Sequence, residues 1–201
     1  MATNALSITI DFTDSIIDEM VSTIDKHTHK LKDSVLQISS KPNKNVRSSK
    51  SLTIPSNMWV VGMLYYYVQL ANRQNFMYDI IDYEGLSLQY IEYNEGDFYS
   101  WHEDFSMDFL GQDRDPLLTK QPSVQPPIEY TRKISFSLQL NDDYTGGDLQ
   151  LYQPNGRRIQ TIPPKKGLMT IFDSRTLHRV RKVKSGTRKS IVGWVSGPRW
   201  R

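Results

Sequence analysis

The run Lys133-Ile134-Ser135-Phe136-Ser137-Leu138-Gln139-Leu140 alternates polar and apolar residues without a break, and this constrains the chain more than any other feature. A period of two belongs to an extended strand whose successive side chains point to opposite sides of a sheet. Gly146-Gly147 then turns the chain into 148–152, and further strand-like segments follow near 158–162, 168–172, 177–183 and 189–195, with an earlier one at 86–93. Many short strands at such spacing favour an antiparallel sandwich or jelly-roll barrel.

The first third reads as helical. Thr13 or Asp14 can cap a helix in which Ile16, Ile17, Met20, Val21 and Ile24 recur on one face. A second helix is predicted from about 57 to 72. It is rich in Tyr and Met and lacks clean amphipathicity, which suits packing against the back of a sheet. Between them, 39–51 is polar, and Pro42, Asn43, Lys44 and Asn45 give it turn character. The expected fold class is α+β, with a jelly-roll core buttressed by N-terminal helices. One domain over 1–201 is expected, helical over about 1–75 and jelly-roll over about 76–201, because 201 residues suffice for one core and are short for two. The segment 105–130 resists the strand pattern. It is long, contains Pro116, Pro122, Pro126 and Pro127, and reads as a lid or substrate-binding flap, with disorder as the competing view.

Composition excludes several classes. At 38% hydrophobic and 23% charged the chain is ordinary for a globular protein. It has no cysteine, which removes disulfides, thiolate metal sites and cysteine nucleophiles. The N-terminus shows no secretory pattern, and the longest apolar stretch, 58–68, is too short to span a bilayer, so a cytoplasmic protein is the default. The net charge of +3 is mild, but Arg179, Arg181, Lys182, Lys184, Arg188 and Lys189 cluster. That cluster reads as a solvated strand–turn–strand rim, with nucleic-acid binding as the other reading.

The chemistry is carried by His102 and Asp104, two apart in a strand-like aromatic run, with His178 far downstream. Residues i and i+2 of a strand share a face, so both can reach one ion. Two imidazoles and a carboxylate suit Fe(II) with three adjacent positions left open. The chain holds four histidines; His27 and His29 fall on the predicted helix and read as solvent-facing. Arg188 lies ten positions past His178 in an apolar stretch. Placed on a strand adjoining that of His178, its guanidinium would hold a carboxylate with two parallel hydrogen bonds.

These motifs together resemble the 2-oxoglutarate/Fe(II)-dependent dioxygenase superfamily, in its prolyl 4-hydroxylase-like branch of prokaryotic and viral type. The family's Tyr-x-x-Gly-x-x-Tyr-x-x-His-x-Asp run is matched by Tyr93, Gly96, Tyr99, His102 and Asp104. Its Arg-x-x-Thr/Ser strand and following Gly-Gly are matched by Arg132, Ser135, Gly146 and Gly147, and its distal histidine, basic residue and later tryptophan by His178, Arg188 and Trp194. The similarity covers most of 47–194. It implies a double-stranded β-helix in which His102, Asp104 and His178 bind the catalytic iron. It also implies that Arg188, Tyr93 and Ser135 hold the distal carboxylate of 2-oxoglutarate, while Tyr99, Trp194 and Arg132 line the substrate side. O2 is the further cosubstrate and ascorbate a reductant.

The activity implied is hydroxylation of a C–H bond, in first place on a prolyl residue of a peptide or protein, otherwise on a small molecule. Asp104 argues against halogenation, which needs that position free for halide. Two departures matter. Arg188 stands where animal and plant prolyl hydroxylases usually carry lysine, and Gln139 stands where many members have tyrosine. Three alternatives remain. A nucleic-acid dealkylating dioxygenase would suit the basic cluster, but those enzymes place their cosubstrate arginine where this chain has Val195. A non-catalytic jelly-roll binding module would not need the ligands and the arginine together. A cupin-like metalloenzyme generally uses more histidines. No membrane partner is expected.

Overall fold

The computed structural model describes residues 7–34, 44–84, 87–104, 107–109, 129–153 and 157–200. In chain order the strands begin with β1 (Ser7–Asp11), β2 (Lys32–Asp33), β3 (Arg47–Ser48), β4 (Lys50–Pro55) and β5 (Asp82–Tyr83). They continue with β6 (Ser87–Tyr93), β7 (Phe98–His102), β8 (Met107–Phe109), β9 (Glu129–Gln139), β10 (Thr145–Gly146) and β11 (Leu149–Gln153). The last are β12 (Arg158–Ile162), β13 (Leu168–Asp173), β14 (His178–Val180), β15 (Val183–Ser185) and β16 (Arg188–Pro198). Helix α1 (Asp14–Asp25) follows β1. Helix α2 (Trp59–Ala71) follows β4 and runs into a π turn over Asn72–Phe76.

The large sheet runs β1-β13-β9-β16-β6-β4-β2, with β5 joined to β16 and β8 to β9. A second sheet runs β12-β11-β14-β7-β3, and β10 and β15 make a short ribbon. Neighbours pair antiparallel, as in β9 on β16 and β14 on β7. The two sheets meet through Leu149, Leu151 and Ile162 against Leu168 and Phe172, and through Ile91 and Tyr93 against Val180, where Val183 of the ribbon joins them.

The alternation of β9 sorts its side chains onto two faces. Ile134, Phe136 and Leu138 join Met169, Ile171 and Ile191 in a core cluster that also holds Ile17, Met20 and Ile24 of α1 and Val60, Leu64 and Val68 of α2. Ser135, Ser137 and Gln139 take the opposite face, yet they are as buried, at 1%, 6% and 1% exposure. The polar face of this strand looks into the space between the sheets.

The first third is not purely helical. It contributes β1, β2, β3 and β4 to the sheets, although α1 and α2 lie close to their predicted bounds. β4 hides its alternation in a polar setting, with only Leu52 and Ile54 buried, and β3 is too short to show a period. The segment 177–183 breaks at Arg181-Lys182 into β14 and β15. His27 follows α1, and His29 sits in a single 3-10 turn, not on a continued helix. Most of the expected lid falls outside the described residues; within it, β8 pairs with β9. Among the described residues no helix is long and apolar enough to cross a membrane.

Candidate active site

β7 ends on His102, and β14 begins on His178 directly opposite it in register. Asp104 lies two residues past the end of β7, not on the strand. Its backbone N–H donates to the Ser174 carbonyl at 3.0 Å, which bends the chain back toward β14. One ligand atom from each of His102, Asp104 and His178 falls within 4.8 Å of the others. The Asp104 carboxylate faces both imidazoles, with Oδ1 3.6 Å from His102 Nε2 and Oδ2 3.4 Å from His178 Nε2.

Both rings are held in the same way. His102 Nδ1 lies 2.8 Å from the Ser100 carbonyl, and His178 Nδ1 lies 2.8 Å from the Thr176 carbonyl. A carbonyl oxygen only accepts, so each Nδ1 carries the proton and each Nε2 turns its lone pair toward Asp104. Burial, and next the neighbouring His178 imidazole, push the His102 pKa down to about 3, which keeps this ring neutral through the physiological range. Burial alone would raise the Asp104 carboxyl, but His178, His102, the Arg132 guanidinium and a hydrogen bond from Trp194 together outweigh it and hold the pKa below the usual carboxylate value. Tyr99 stacks on His102 with ring centroids 3.5 Å apart, and Phe172 meets His178 edge-on at 4.8 Å. Two imidazole Nε2 atoms and one carboxylate, with one side of the cluster open to a cavity, are a donor set for a divalent first-row metal.

The cavity extends inward to Arg188, which also lines it. Arg188 lies on β16 of the large sheet, whereas His178 lies on the second sheet, so the two face each other across the sandwich instead of sharing adjoining strands. The guanidinium is 1% exposed. It donates to Ser190 Oγ at 3.0 Å and to Ser137 Oγ at 3.4 Å, and its Nε has no acceptor. Tyr93 pairs with Arg188 across the strands and presents its ring 5.4 Å from the guanidinium carbon. Gln139 pairs with Ser190, and its buried carboxamide has no hydrogen bond at either end. Thr170, opposite Ser137 on β13, also has a buried hydroxyl without a partner.

The remaining expected residues divide. Tyr99 and Trp194 line the cavity beside the histidines. Ser135 shares a hydrogen bond with Ser174 at 2.9 Å, so Ser137 and not Ser135 supports Arg188. Arg132 is paired with Glu84 through two hydrogen bonds and lies over the Trp194 ring at 4.2 Å, which places it behind the wall of the cavity. Ser137, Ser190, Glu84 and Arg47 escaped the sequence reading; for Ser137 the signal was present, because it shares the polar face of β9 with Ser135.

In the basic cluster, Arg179 donates to Gln150 Oε1 at 2.9 Å and lies over the Trp101 ring at 4.6 Å, and Arg181 reaches Asp148 at 3.3 Å.

Residues 88–196 match the family described as the 2OG-Fe(II) oxygenase superfamily. A PKHD-type hydroxylase of Parvibaculum lavamentivorans is 39% identical over 64 residues, covering 31% of this chain and 28% of that protein. One of Synechococcus sp. (strain CC9902) is 30% identical over 102 residues, covering 50% and 36%. The chain thus spans well under half the length of these relatives. Among solved structures, a Pseudomonas putida prolyl-4-hydroxylase superposes with a TM-score of 0.70 at 17% identity, over 98% of this chain and 95% of that one. A Trichoplax adhaerens prolyl hydroxylase bound to a hypoxia-inducible-factor peptide fragment reaches 0.72 at 18% identity, over 96% and 84%. These two likenesses concern the fold. The family match spans more than half of the residues and contains the whole His102–Asp104–His178 cluster together with Arg188, and on that ground the chain belongs to the 2OG-Fe(II) oxygenase superfamily.

Proposed function

We propose that this chain is a dioxygenase that uses Fe(II), 2-oxoglutarate and O2 to hydroxylate a C–H bond, with a prolyl residue of a peptide or protein as the first substrate to test. One observation carries the reading: both imidazoles turn their Nε2 atoms toward one carboxylate, at the mouth of a cavity that ends in a buried guanidinium. His102, Asp104 and His178 would hold the iron. When bound, the metal supplies the oxygen activation that couples oxidative decarboxylation of 2-oxoglutarate to hydroxylation.

The chain's own residues do the rest. Ser100 and Thr176 fix the ring orientations through their carbonyls. Ser137 and Ser190 point the Arg188 guanidinium into the cavity, where it would grip the distal carboxylate of 2-oxoglutarate with Tyr93 packed against it. Ser135 would act there only indirectly, through the strand it shares with Ser137. Tyr99 and Trp194 would border the substrate, with Arg132 fixing the indole from behind. The chain is read as one domain in which α1 and α2 brace the large sheet, and ascorbate fits as the reductant that keeps iron ferrous. The peptide preference is drawn from the neighbour bound to a peptide fragment. Nucleic-acid dealkylation is the weaker reading, because Arg179 is engaged by Gln150 and the Trp101 ring and Arg181 by Asp148.

The test uses purified protein with Fe(II), 2-oxoglutarate and a panel of proline-containing peptides. Succinate release and the mass gain of one oxygen atom on a peptide are the expected results. Asp104→Ala should abolish both and weaken Mn(II) binding measured by calorimetry. Full turnover in that variant would overturn the reading.

A further inference from the structure

Two arginines, Arg47 and Arg188, line the metal cavity and a third, Arg132, lies behind its wall, and they differ in what neutralises them. Arg132 is paired with Glu84, and Arg188 closes the inner end among hydroxyls. Arg47, on β3, is 7% exposed and forms the wall between the metal cavity and a second, polar cavity of about 180 Å3. Its Nε donates to Ser49 Oγ at 2.9 Å, which donates onward to Ser34 Oγ at 2.9 Å. Its Nη2 is sealed from solvent with no acceptor. The guanidinium carbon lies 4.8 Å from the centroid of Tyr99, the ring that stacks on His102. The charge therefore sits one ring away from the metal cluster.

No carboxylate pairs with Arg47 among the described residues. Asp97, in the same polar cavity, is taken up by the Ser48 hydroxyl and the Asn94 N–H. Lys44 pairs with Asp33 in an exposed contact at 3.6 Å. Serine hydroxyls and a π face do not repay the desolvation of a guanidinium this buried, whereas an anion brought by a ligand does. Arg188 serves the cosubstrate at the far end, so Arg47 is left for the molecule being oxidised.

We propose that Arg47 is the substrate's anion receptor: the molecule hydroxylated here carries a carboxylate that Arg47 holds while the target C–H faces the metal cluster. This deepens the dioxygenase reading and rests on it. The carboxylate has two sources, an acidic side chain beside the target residue or the free α-carboxylate of an amino acid. Two probe pairs separate them: proline peptides with Asp or Glu next to proline against the same peptides with Asn or Gln, and free L-proline against L-prolinamide.

For each pair the reading is the ratio of kcat/KM, acid over amide, within one protein sample, so partial loss of folded material does not affect it. In the wild type the ratio should reach roughly tenfold or more for one pair, the size of one charge-assisted hydrogen bond. Arg47→Met should bring that ratio to about one, and Arg47→Lys should retain part of it. A wild-type ratio near one in both pairs, or a ratio unchanged in Arg47→Met, overturns the proposal. So does failure to oxidise any probe while the Mn(II)-loaded protein still binds 2-oxoglutarate by calorimetry. Absence of that 2-oxoglutarate binding in the wild type would instead overturn the dioxygenase reading itself.

Discussion

At position 188 a fully buried guanidinium rests on two serine hydroxyls and an aromatic face. Replacing a buried charge with an apolar side chain of similar length is often neutral or stabilising, because the desolvation penalty disappears. Arg188→Met should therefore hold or raise the thermal midpoint, while the Mn(II)-loaded protein binds 2-oxoglutarate at least about tenfold more weakly. A fall in both would mark Arg188 as structural. The metal cluster was legible because His102 and Asp104 lie two apart and histidine is scarce in this chain; the shared strand was not its cause, since β7 ends at His102 and the Asp104 N–H bond to Ser174 brings the carboxylate in. Ser137 was legible only as a member of the polar face of β9, since a serine on an alternating strand reads the same whether it faces water or a cavity. The Glu84–Arg132 pair joins residues 48 positions apart, beyond any local pattern.

The turn between β13 and β14 governs the cluster more than either strand does. Ser174 accepts from the Asp104 N–H, Thr176 accepts from His178, and Asp173 anchors the turn from outside. The Asp173 carboxylate accepts from the Tyr78 hydroxyl at 2.6 Å and from Arg175 Nη2 at 2.6 Å, and Arg175 in turn lies over the Trp200 ring at 3.9 Å. Burial alone would raise the Asp173 pKa, but Arg175 and Tyr78 hold it below the usual value. A carboxyl lowered in the folded state contributes stability above its unfolded pKa of about 3.9, and loses it as pH falls through the folded value. Asp173→Asn should cost about 1 kcal/mol at neutral pH, the modest figure reflecting how exposed Arg175 is, and the gap from wild type should close below about pH 4. Denaturant midpoints at the two pH values would measure it. A gap that persists in acid would assign the cost to shape instead of charge. Among the elements, β9 was legible from its periodicity and β16 as a short apolar run, whereas β1 to β4 were masked by the polar setting of the first third and by their shortness.

Across the molecule, the two faces of the large sheet do different work. One face contributes Ile134, Phe136 and Leu138 to an apolar cluster that also holds residues of α1 and α2, and the other carries the cavity. Leu64, fully buried on α2, belongs to the first and lies apart from the second. Leu64→Ala should cost about 2–5 kcal/mol of folding stability, yet leave the Mn(II) affinity of the folded protein unchanged in calorimetry below the transition. Weaker metal binding there would show that the two faces are coupled. The class of fold was readable from the train of short strands. The burial of the polar face of β9 was not, because alternation reports that two faces differ and says nothing of which one meets solvent.

That buried polar wall has a consequence for how long the protein survives. Arg188, which lines the cavity, leaves a hydrogen-bonding atom unmatched inside the sandwich, so an occupant of the cavity completes the interior much as a missing core residue would. Any molecule held there adds to resistance against unfolding in proportion to the logarithm of its concentration. Turnover by proteases should then slow when the diacid is plentiful and quicken when it is scarce, which ties the abundance of the protein to supply of its own reagent.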